Sequence, residues 1–256
     1  MKTLKLLIPV ILLFSLAGCF DIHEEIEVNK NGSGQMSINM DMSQLLDIMQ
    51  TYVGKDEMEK QLPKRMMDTT ILMKDLVDTA RDMPAEKKAL VREGRIHMKL
   101  NMDEKLFKTD IHFPFKNLSD LQKLYTSMND GSLNTTKLFS GLASGKDSAN
   151  NAGNMPDIGQ FNGIYDFQSR DGLITRKLNP EKWKQFQDGQ QFAQAKEVGN
   201  MGMEVGYTLT LSLPRSVKKI DNPLAVLSED KKTVTMKYNF VEVFSHPEKF
   251  EYTIAY

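Results

Sequence analysis

The sequence predicts an α+β protein whose antiparallel sheets are built from successive β-hairpins and carry helices on one face. Three observations favour this class. Paired segments of alternating apolar and polar residues recur near residues 22, 95 and 162, each pair joined by turn-forming residues. A stretch with apolar residues at helical spacing follows each pair. The last third of the chain alternates almost throughout, which is typical of antiparallel strands with one buried and one polar face.

The first predicted hairpin covers residues 22 to 42. Its apolar positions are Ile22, Ile26, Val28, Met36, Ile38, Met40 and Met42. Glu24 is an exception, because its charged side chain falls on the apolar face. An odd loop centred on Gly32 places both apolar sets on one face and pairs Ile26 with Ile38. We therefore expect a loop of about three or five residues with a glycine at positive φ.

Three helices are predicted between the first and second hairpins. Ser43 caps the first, which Gly54 ends, and Asp68 caps the second. The apolar positions are Leu45, Ile48, Met49 and Tyr52 in the first helix and Leu72, Leu76 and Ala80 in the second. Pro84 begins the third helix and Gly94 closes it.

The second predicted hairpin alternates clearly on both strands. Its apolar face carries Ile96, Met98, Leu100, Met102, Phe107, Thr109, Ile111, Phe113 and Phe115. An even loop around Glu104 keeps the apolar sets of the two strands on one face. That register puts His97 opposite His112 on the polar face. It also puts Asp110 opposite Lys99.

Composition divides the remaining chain into a connection and a strand-rich region. A capping-box pattern at Ser119–Gln122 begins a helix. The chain then turns to Gly, Asn and Ser, which predicts a flexible connection. We divide the chain into a signal peptide at 1–18, an N-terminal hairpin and helix region at 19–129, the connection at 130–160 and a C-terminal strand-rich region at 161–256. The sequence leaves two alternatives open: the regions at 19–129 and 161–256 form a single domain, or each forms its own.

The strand-rich region begins with the third hairpin, which turns at Asp171 and Gly172. Asn179 and Pro180 then supply a cap and a first-turn proline for a helix. The strands predicted after this helix cover residues 203–213, 217–220, 225–227, 234–240 and 250–256.

The first 19 residues predict export and lipidation. Lys2 and Lys5 precede an apolar run at residues 6–16, which is shorter than the ~20 residues of a membrane-spanning helix and fits a secretory signal. The run ends in Leu16-Ala17-Gly18-Cys19, which resembles the lipobox of bacterial lipoproteins. This resemblance implies cleavage before Cys19, a diacylglycerol anchor on its sulfur and an acyl chain such as palmitate on its new amino group.

The predicted mature chain is weakly acidic. Loss of Lys2 and Lys5 from the 33 basic residues leaves 31 against 34 acidic residues, a net charge of -3. This balance argues against a nucleic-acid partner, which would favour a basic excess. Cys19 is the single cysteine, so we expect no disulfide. Phe20 stands where a retention aspartate would, which by the lipoprotein resemblance implies the outer membrane.

The residue patterns predict neither an enzyme nor a cofactor. Gly141–Lys146 falls one residue short of a P-loop and lacks the Ser or Thr after its lysine. The sequence contains neither a nucleophile elbow nor a His-Glu-x-x-His motif. His97 and His112 are the candidate metal ligands, since the predicted register puts them on one face, although two ligands rarely make a structural zinc site.

The first hairpin and the final third together resemble a lipoprotein family. A long alternating strand ending in Leu213-Pro214, followed by a turn at Glu229-Asp230 and a Thr/Val strand, is similar to LppM-like anchored α+β lipoprotein domains. The resemblance implies a non-catalytic envelope domain that meets lipid or glycolipid. We therefore expect a lipid-anchored, non-enzymatic binding or scaffold module whose partner is an envelope protein, a glycan or a lipid. The alternatives are a lipid or glycolipid carrier and a metal-site protein using His97 and His112.

Overall fold

The computed structural model describes residues 20–54, 66–78, 83–129, 162–189, 192–193 and 204–256. Its strands are β1 (Phe20–Val28), β2 (Gly34–Asp41), β3 (Met66–Leu72), β4 (Arg95–Asn101), β5 (Leu106–Phe115), β6 (Tyr165–Arg170), β7 (Leu173–Leu178), β8 (Val205–Ser212), β9 (Lys219–Ile220), β10 (Ala225–Leu227), β11 (Thr233–Asn239) and β12 (Tyr252–Ala255). Its helices are α1 (Ser43–Val53), α2 (Met73–Val77), α3 (Ala85–Val91), α4 (Leu118–Asn129) and α5 (Pro180–Gln187), with 3₁₀ helices at Phe240–Phe244 and Pro247–Phe250. The predicted α+β class is confirmed.

The described strands form two sheets. The larger has the order β10-β11-β8-β1-β2-β5-β4-β3, and the smaller has the order β6-β7-β12-β9. Neighbouring strands are antiparallel except β1 and β8, which run parallel from the Phe20–Val205 pair to the Glu27–Ser212 pair. The larger sheet is therefore mixed, and it joins strands from both sides of residues 130–160.

The first hairpin has the predicted odd loop, but its register differs by two residues. Ile26 lies opposite Met36 instead of Ile38, and Val28 lies opposite Gly34. The loop is therefore residues 29–33, in which Gly32 takes the predicted positive φ, at 81°. The alternation of apolar and polar residues correctly predicted an odd number of loop residues. It could not choose between registers that differ by two residues.

The second hairpin shows the same kind of shift, and here it changes the predicted site. His97 pairs with Asp110, and His112 pairs with Arg95, so the prediction that the two histidines lie opposite each other was wrong. The loop covers residues 102–105, and the side-chain Oδ1 of Asn101 stabilises it by accepting hydrogen bonds from the backbone N–H groups of Asp103 and Glu104. The loop closes with Lys105 at a φ of 53°.

Residues 66–72 form β3, where the sequence predicted a helix capped by Asp68. This stretch contains Thr69, Thr70 and Ile71, whose β-branched side chains favour an extended backbone. The helix is confined to α2, which begins after the strand. This strand matters for function because it forms the edge of the larger sheet next to β4, in the series β2-β5-β4-β3.

Neither Ser43 nor Ser119 caps its helix as predicted. The Ser43 hydroxyl accepts a hydrogen bond from the Phe107 N–H at 3.1 Å, and α1 begins without a side-chain cap. The Asn117 side chain caps α4 by accepting from the Asp120 N–H at 3.0 Å, two residues before the predicted cap at Ser119. The predicted cap at Asn179 is confirmed, since its side chain accepts from two N–H groups of α5.

The core lies between one face of the larger sheet and the helices and smaller sheet. Fully buried members include Ile26 on β1, Leu209 and Leu211 on β8, Val234 and Met236 on β11, Leu121 and Leu124 on α4, and Ile174 and Ile254 on the smaller sheet. Full burial of such a side chain contributes ~1.5–3 kcal/mol. Packing of one sheet face in this way leaves the opposite face open to solvent.

Candidate functional site

The open side of the larger sheet is polar, and we term it the outer face. It consists of the alternate strand residues whose side chains point away from the core. Its central members are Asp21, His23, Glu25 and Glu27 on β1, Gln35, Ser37, Asn39 and Asp41 on β2, Lys108, Asp110 and His112 on β5, Arg95, His97 and Lys99 on β4, and Asp68 and Thr70 on β3. Three of the four histidines of the chain are thus on this face.

A cleft of about 370 Å³ opens on the outer face across β2, β5, β4 and β3. It is lined by Asn39, Thr70, Arg95, His97, Asp110 and His112. The strand registers bring these residues together, because His97 lies between Thr70 and Asp110 in adjacent strands. His97 and His112 therefore share the cleft, as their common face predicted, but they lie on neighbouring rows of the sheet.

His97 is held between two carboxylates. Its Nε2 lies 2.8 Å from Asp68 Oδ1, and its Nδ1 lies 3.4 Å from Asp110 Oδ2. The hydrogen bond to Asp68, and more weakly that to Asp110, raises the pKa of His97, because both contacts favour the protonated ring. The same hydrogen bond lowers the pKa of Asp68.

His112 has the opposite electrostatic environment. Its Nδ1 lies 2.9 Å from the Ser37 hydroxyl oxygen. Desolvation, and then the nearby positive charge of Arg95, lowers the pKa of His112, against the weaker opposing effect of Asp110 and Glu25. The neutral ring therefore predominates at pH 7.

The Ser37–His112 contact has the form of a nucleophile and base, but its surroundings do not complete a catalytic site. Ser37 is only 3% exposed, so a substrate carbonyl has little access to its hydroxyl. Within the described ranges no carboxylate lies at ion-pair distance from His112 to orient its ring. The Ser-His-Asp arrangement of serine hydrolases combines an accessible serine with an orienting carboxylate.

Arg95 differs from the other charged residues of the cleft. Its side chain is exposed, and the described part of the chain places no carboxylate within ion-pair distance of its guanidinium. The side chains of Asn39 and Thr70 likewise make no hydrogen bond to any described residue. The cleft thus offers one cation and two neutral polar groups for a ligand. Sequence patterns did not single out any of the three.

The side chains of the cleft do not form a metal site. Over residues 20–54, 66–78, 83–129, 162–189, 192–193 and 204–256, no group of three or more His, Cys, Asp and Glu side chains is placed to hold a metal ion. Both ring nitrogens of His97 are already bonded to carboxylates. The metal alternative for His97 and His112 thus gains no support from the geometry.

A second polar cluster lies in the core and was not predicted. Arg176 on β7 is 1% exposed, and it donates hydrogen bonds to Asn162 Oδ1 at 2.8 Å and to the Tyr207 hydroxyl at 3.4 Å. Tyr207 on β8 donates in turn to the Glu24 carboxylate on β1. Burial raises the pKa of Glu24, and the charge of Arg176 opposes this rise. The cluster links the two sheets, so its role is structural.

Several predicted features lie outside the described residues. These are the signal peptide at 1–18, the lipidation site at Cys19 and the connection at 130–160. Cys19 directly precedes the first residue of β1. Of the helices that the structure describes, none is long and apolar enough to cross a membrane.

The sequence matches no known protein-family profile and no curated protein. Among solved structures, the chain is similar to the folded domain of LppM from Mycobacterium tuberculosis, determined by NMR. The two share 7% identity over 93% of this chain and 91% of that chain, with a TM-score of 0.35. A likeness this distant indicates neither a ligand nor an activity.

Proposed function

We propose that the chain is a lipid-anchored, non-enzymatic binding module of the cell envelope, tethered through Cys19 and binding its partner on the outer face. The observation that carries this proposal is the open polar face with its cleft, in which Arg95, Asn39 and Thr70 are available to a ligand. A catalytic assignment lacks support because the one nucleophile and base contact in the cleft involves a buried serine.

The position of the tether relative to the cleft supports the proposal. Cys19 adjoins Phe20, and β1 lies inside the larger sheet between β8 and β2. At about 3.3 Å per strand residue, His23 lies ~10 Å and Glu25 ~17 Å from Phe20 along the strand. These two residues share their rows of the sheet with the cleft, so a lipid on Cys19 would hold the cleft close to the membrane surface.

The outer membrane is the proposed destination, because Phe20 occupies the position of a retention aspartate. The localisation test compares the wild-type chain with Cys19→Ala after detergent phase partitioning and membrane fractionation. We expect the wild type in the detergent phase and the outer-membrane fraction, and Cys19→Ala in the aqueous phase, because an anchor with two or more acyl chains binds a bilayer almost permanently. Identical partitioning of the two proteins would contradict the anchor.

The binding surface is tested by photocrosslinking in cells. A photoreactive amino acid replaces Lys99, which is exposed on the outer face next to the cleft, or Lys184, which is exposed on α5. We expect reproducible adducts from position 99 and few from position 184. Equal labelling from both positions would contradict the assignment of the outer face as the binding surface.

A further inference from the structure

We propose that the cleft binds an acidic sugar, whose carboxylate or phosphate contacts Arg95 and whose hydroxyls contact Asn39 and Thr70. This inference rests on the proposed function and names the ligand class of the outer face. The same chemistry occurs in a glycolipid headgroup and in a free polysaccharide, since each can carry an oxyanion beside hydroxyl groups.

Arg95 has the chemistry that an oxyanion requires. A guanidinium presents planar N–H donors in a fork that matches a carboxylate or a phosphate, and such charge-assisted bonds are stronger than neutral ones. Two other arginines with described side chains, Arg92 and Arg215, are already paired with Asp78 and Asp171. Arg95 has no such partner in the described part of the chain, although it lines a cleft.

His97 opposes part of the negative charge that Asp110 and the adjacent Asp68 bring to the cleft. Asp110 also lines the cleft and would repel an anion, but its Oδ2 lies 3.4 Å from His97 Nδ1. The pKa of His97 is raised, chiefly by its hydrogen bond to Asp68, so its ring carries more positive charge than an ordinary histidine at the same pH. Among the described residues, Arg95 is the cation of the cleft that no carboxylate contacts, so an anionic group of a ligand would bind there.

The neutral groups of the cleft suit the hydroxyls of a sugar. Thr70 and Asn39 occupy the same row of the sheet on either side of the His97–Asp110 pair. An amide and a hydroxyl each donate and accept hydrogen bonds, as sugar hydroxyls require. The volume of about 370 Å³ lies within the ~300–1,000 Å³ usual for ligand sites. A simple inorganic ion would fill only part of this space.

Binding is tested with the purified full chain and three probes: glucuronate, glucose and inorganic phosphate. Titrations are followed by NMR at the Arg95 Nε–H and at the His112 ring, which pairs with Arg95 in the sheet register. We expect glucuronate to shift both signals and glucose to leave Arg95 unmoved, because glucose lacks the anion. A shift with phosphate would also support the oxyanion site and would show that it accepts a phosphate source.

Substitutions at Arg95 and Lys99, both on β4, distinguish a specific contact with the ligand from a general effect of positive charge on binding. Arg95→Gln should weaken glucuronate binding about tenfold or more, the size expected for loss of a charge-assisted bond. Arg95→Lys should fall between Arg95→Gln and wild type, because a lysine keeps the charge and loses the fork. Lys99→Gln is the matched control, because it removes a positive charge from the same face of β4 outside the cleft, and it should change binding less than about twofold.

Three results would overturn the inference: glucose binding as tightly as glucuronate, no response to either glucuronate or phosphate, or equal effects of Arg95→Gln and Lys99→Gln. The titration measures binding by the folded chain whether or not Cys19 carries lipid. Failure of the sugar site would therefore leave the anchor standing, and failure of the anchor would leave the sugar site testable.

Discussion

His97 and His112 share one cleft, yet their neighbours drive their pKa values in opposite directions. Carboxylates at both ring nitrogens favour the charged form of His97. Desolvation and Arg95 favour the neutral form of His112. At any given pH near neutrality the His97 ring is therefore more often protonated than the His112 ring, and an NMR titration can follow each ring separately.

Asp68→Asn should lower the pKa of His97, because it replaces the carboxylate that makes the strongest contact with the ring. The measurement is an NMR titration of the histidine ring signals. Asp166→Asn is the control, because it breaks an ion pair with Lys182 far along the chain and should leave His97 unchanged. An unchanged His97 titration in Asp68→Asn would show that the ion pair does not form in solution.

Two buried tyrosine hydroxyls differ in their hydrogen bonding. The Tyr252 hydroxyl is buried without a hydrogen-bond partner among the described residues, whereas the Tyr207 hydroxyl bridges Arg176 and Glu24. Tyr252→Phe should keep the free energy of unfolding within ~0.5 kcal/mol or raise it, and Tyr207→Phe should lower it by ~1–3 kcal/mol. Denaturant unfolding of both variants checks this pair. Equal losses would contradict the assignment of partners.

At the scale of elements, alternation predicted which residues face the core but not how the strands align. Both N-terminal hairpins have the expected loop parity, while Ile26 and His97 each meet a partner two residues away from the predicted one. Local contacts favour the observed loop positions, such as the hydrogen bonds from the loop backbone to the Asn101 side chain. A shift of two residues keeps every side chain on the same face of the sheet, so alternation alone cannot choose between the two registers.

The buried cluster around Arg176 links the two sheets and should stabilise the fold. Arg176→Met should lower the free energy of unfolding by ~3–5 kcal/mol, because it leaves the buried Glu24 carboxylate without a compensating charge. Arg170→Met, at the exposed end of β6 in the same hairpin, is the matched control and should change stability by less than ~0.5 kcal/mol. Chemical denaturation measures both. A loss below ~1 kcal/mol for Arg176→Met would show that the cluster does not hold the sheets together.

At the scale of the whole molecule, the sequence predicted the class and missed the arrangement that builds the site. The parallel pairing of β1 with β8 joins residues far apart in the chain, and no local pattern encodes it. The cleft needs Thr70, which the sequence placed in a helix, and Asn39, which looked like any polar strand residue. His97 and His112 were predicted because strand alternation alone puts them on one face.

The claim that the molecule is tethered at its first strand is tested most directly by intact mass spectrometry of the protein isolated from native membranes. We expect a chain that lacks residues 1–18 and begins at Cys19, with the added mass of a diacylglycerol on sulfur and an acyl chain on the amino group. A chain that retains residues 1–18, or one with a free thiol at Cys19, would contradict it.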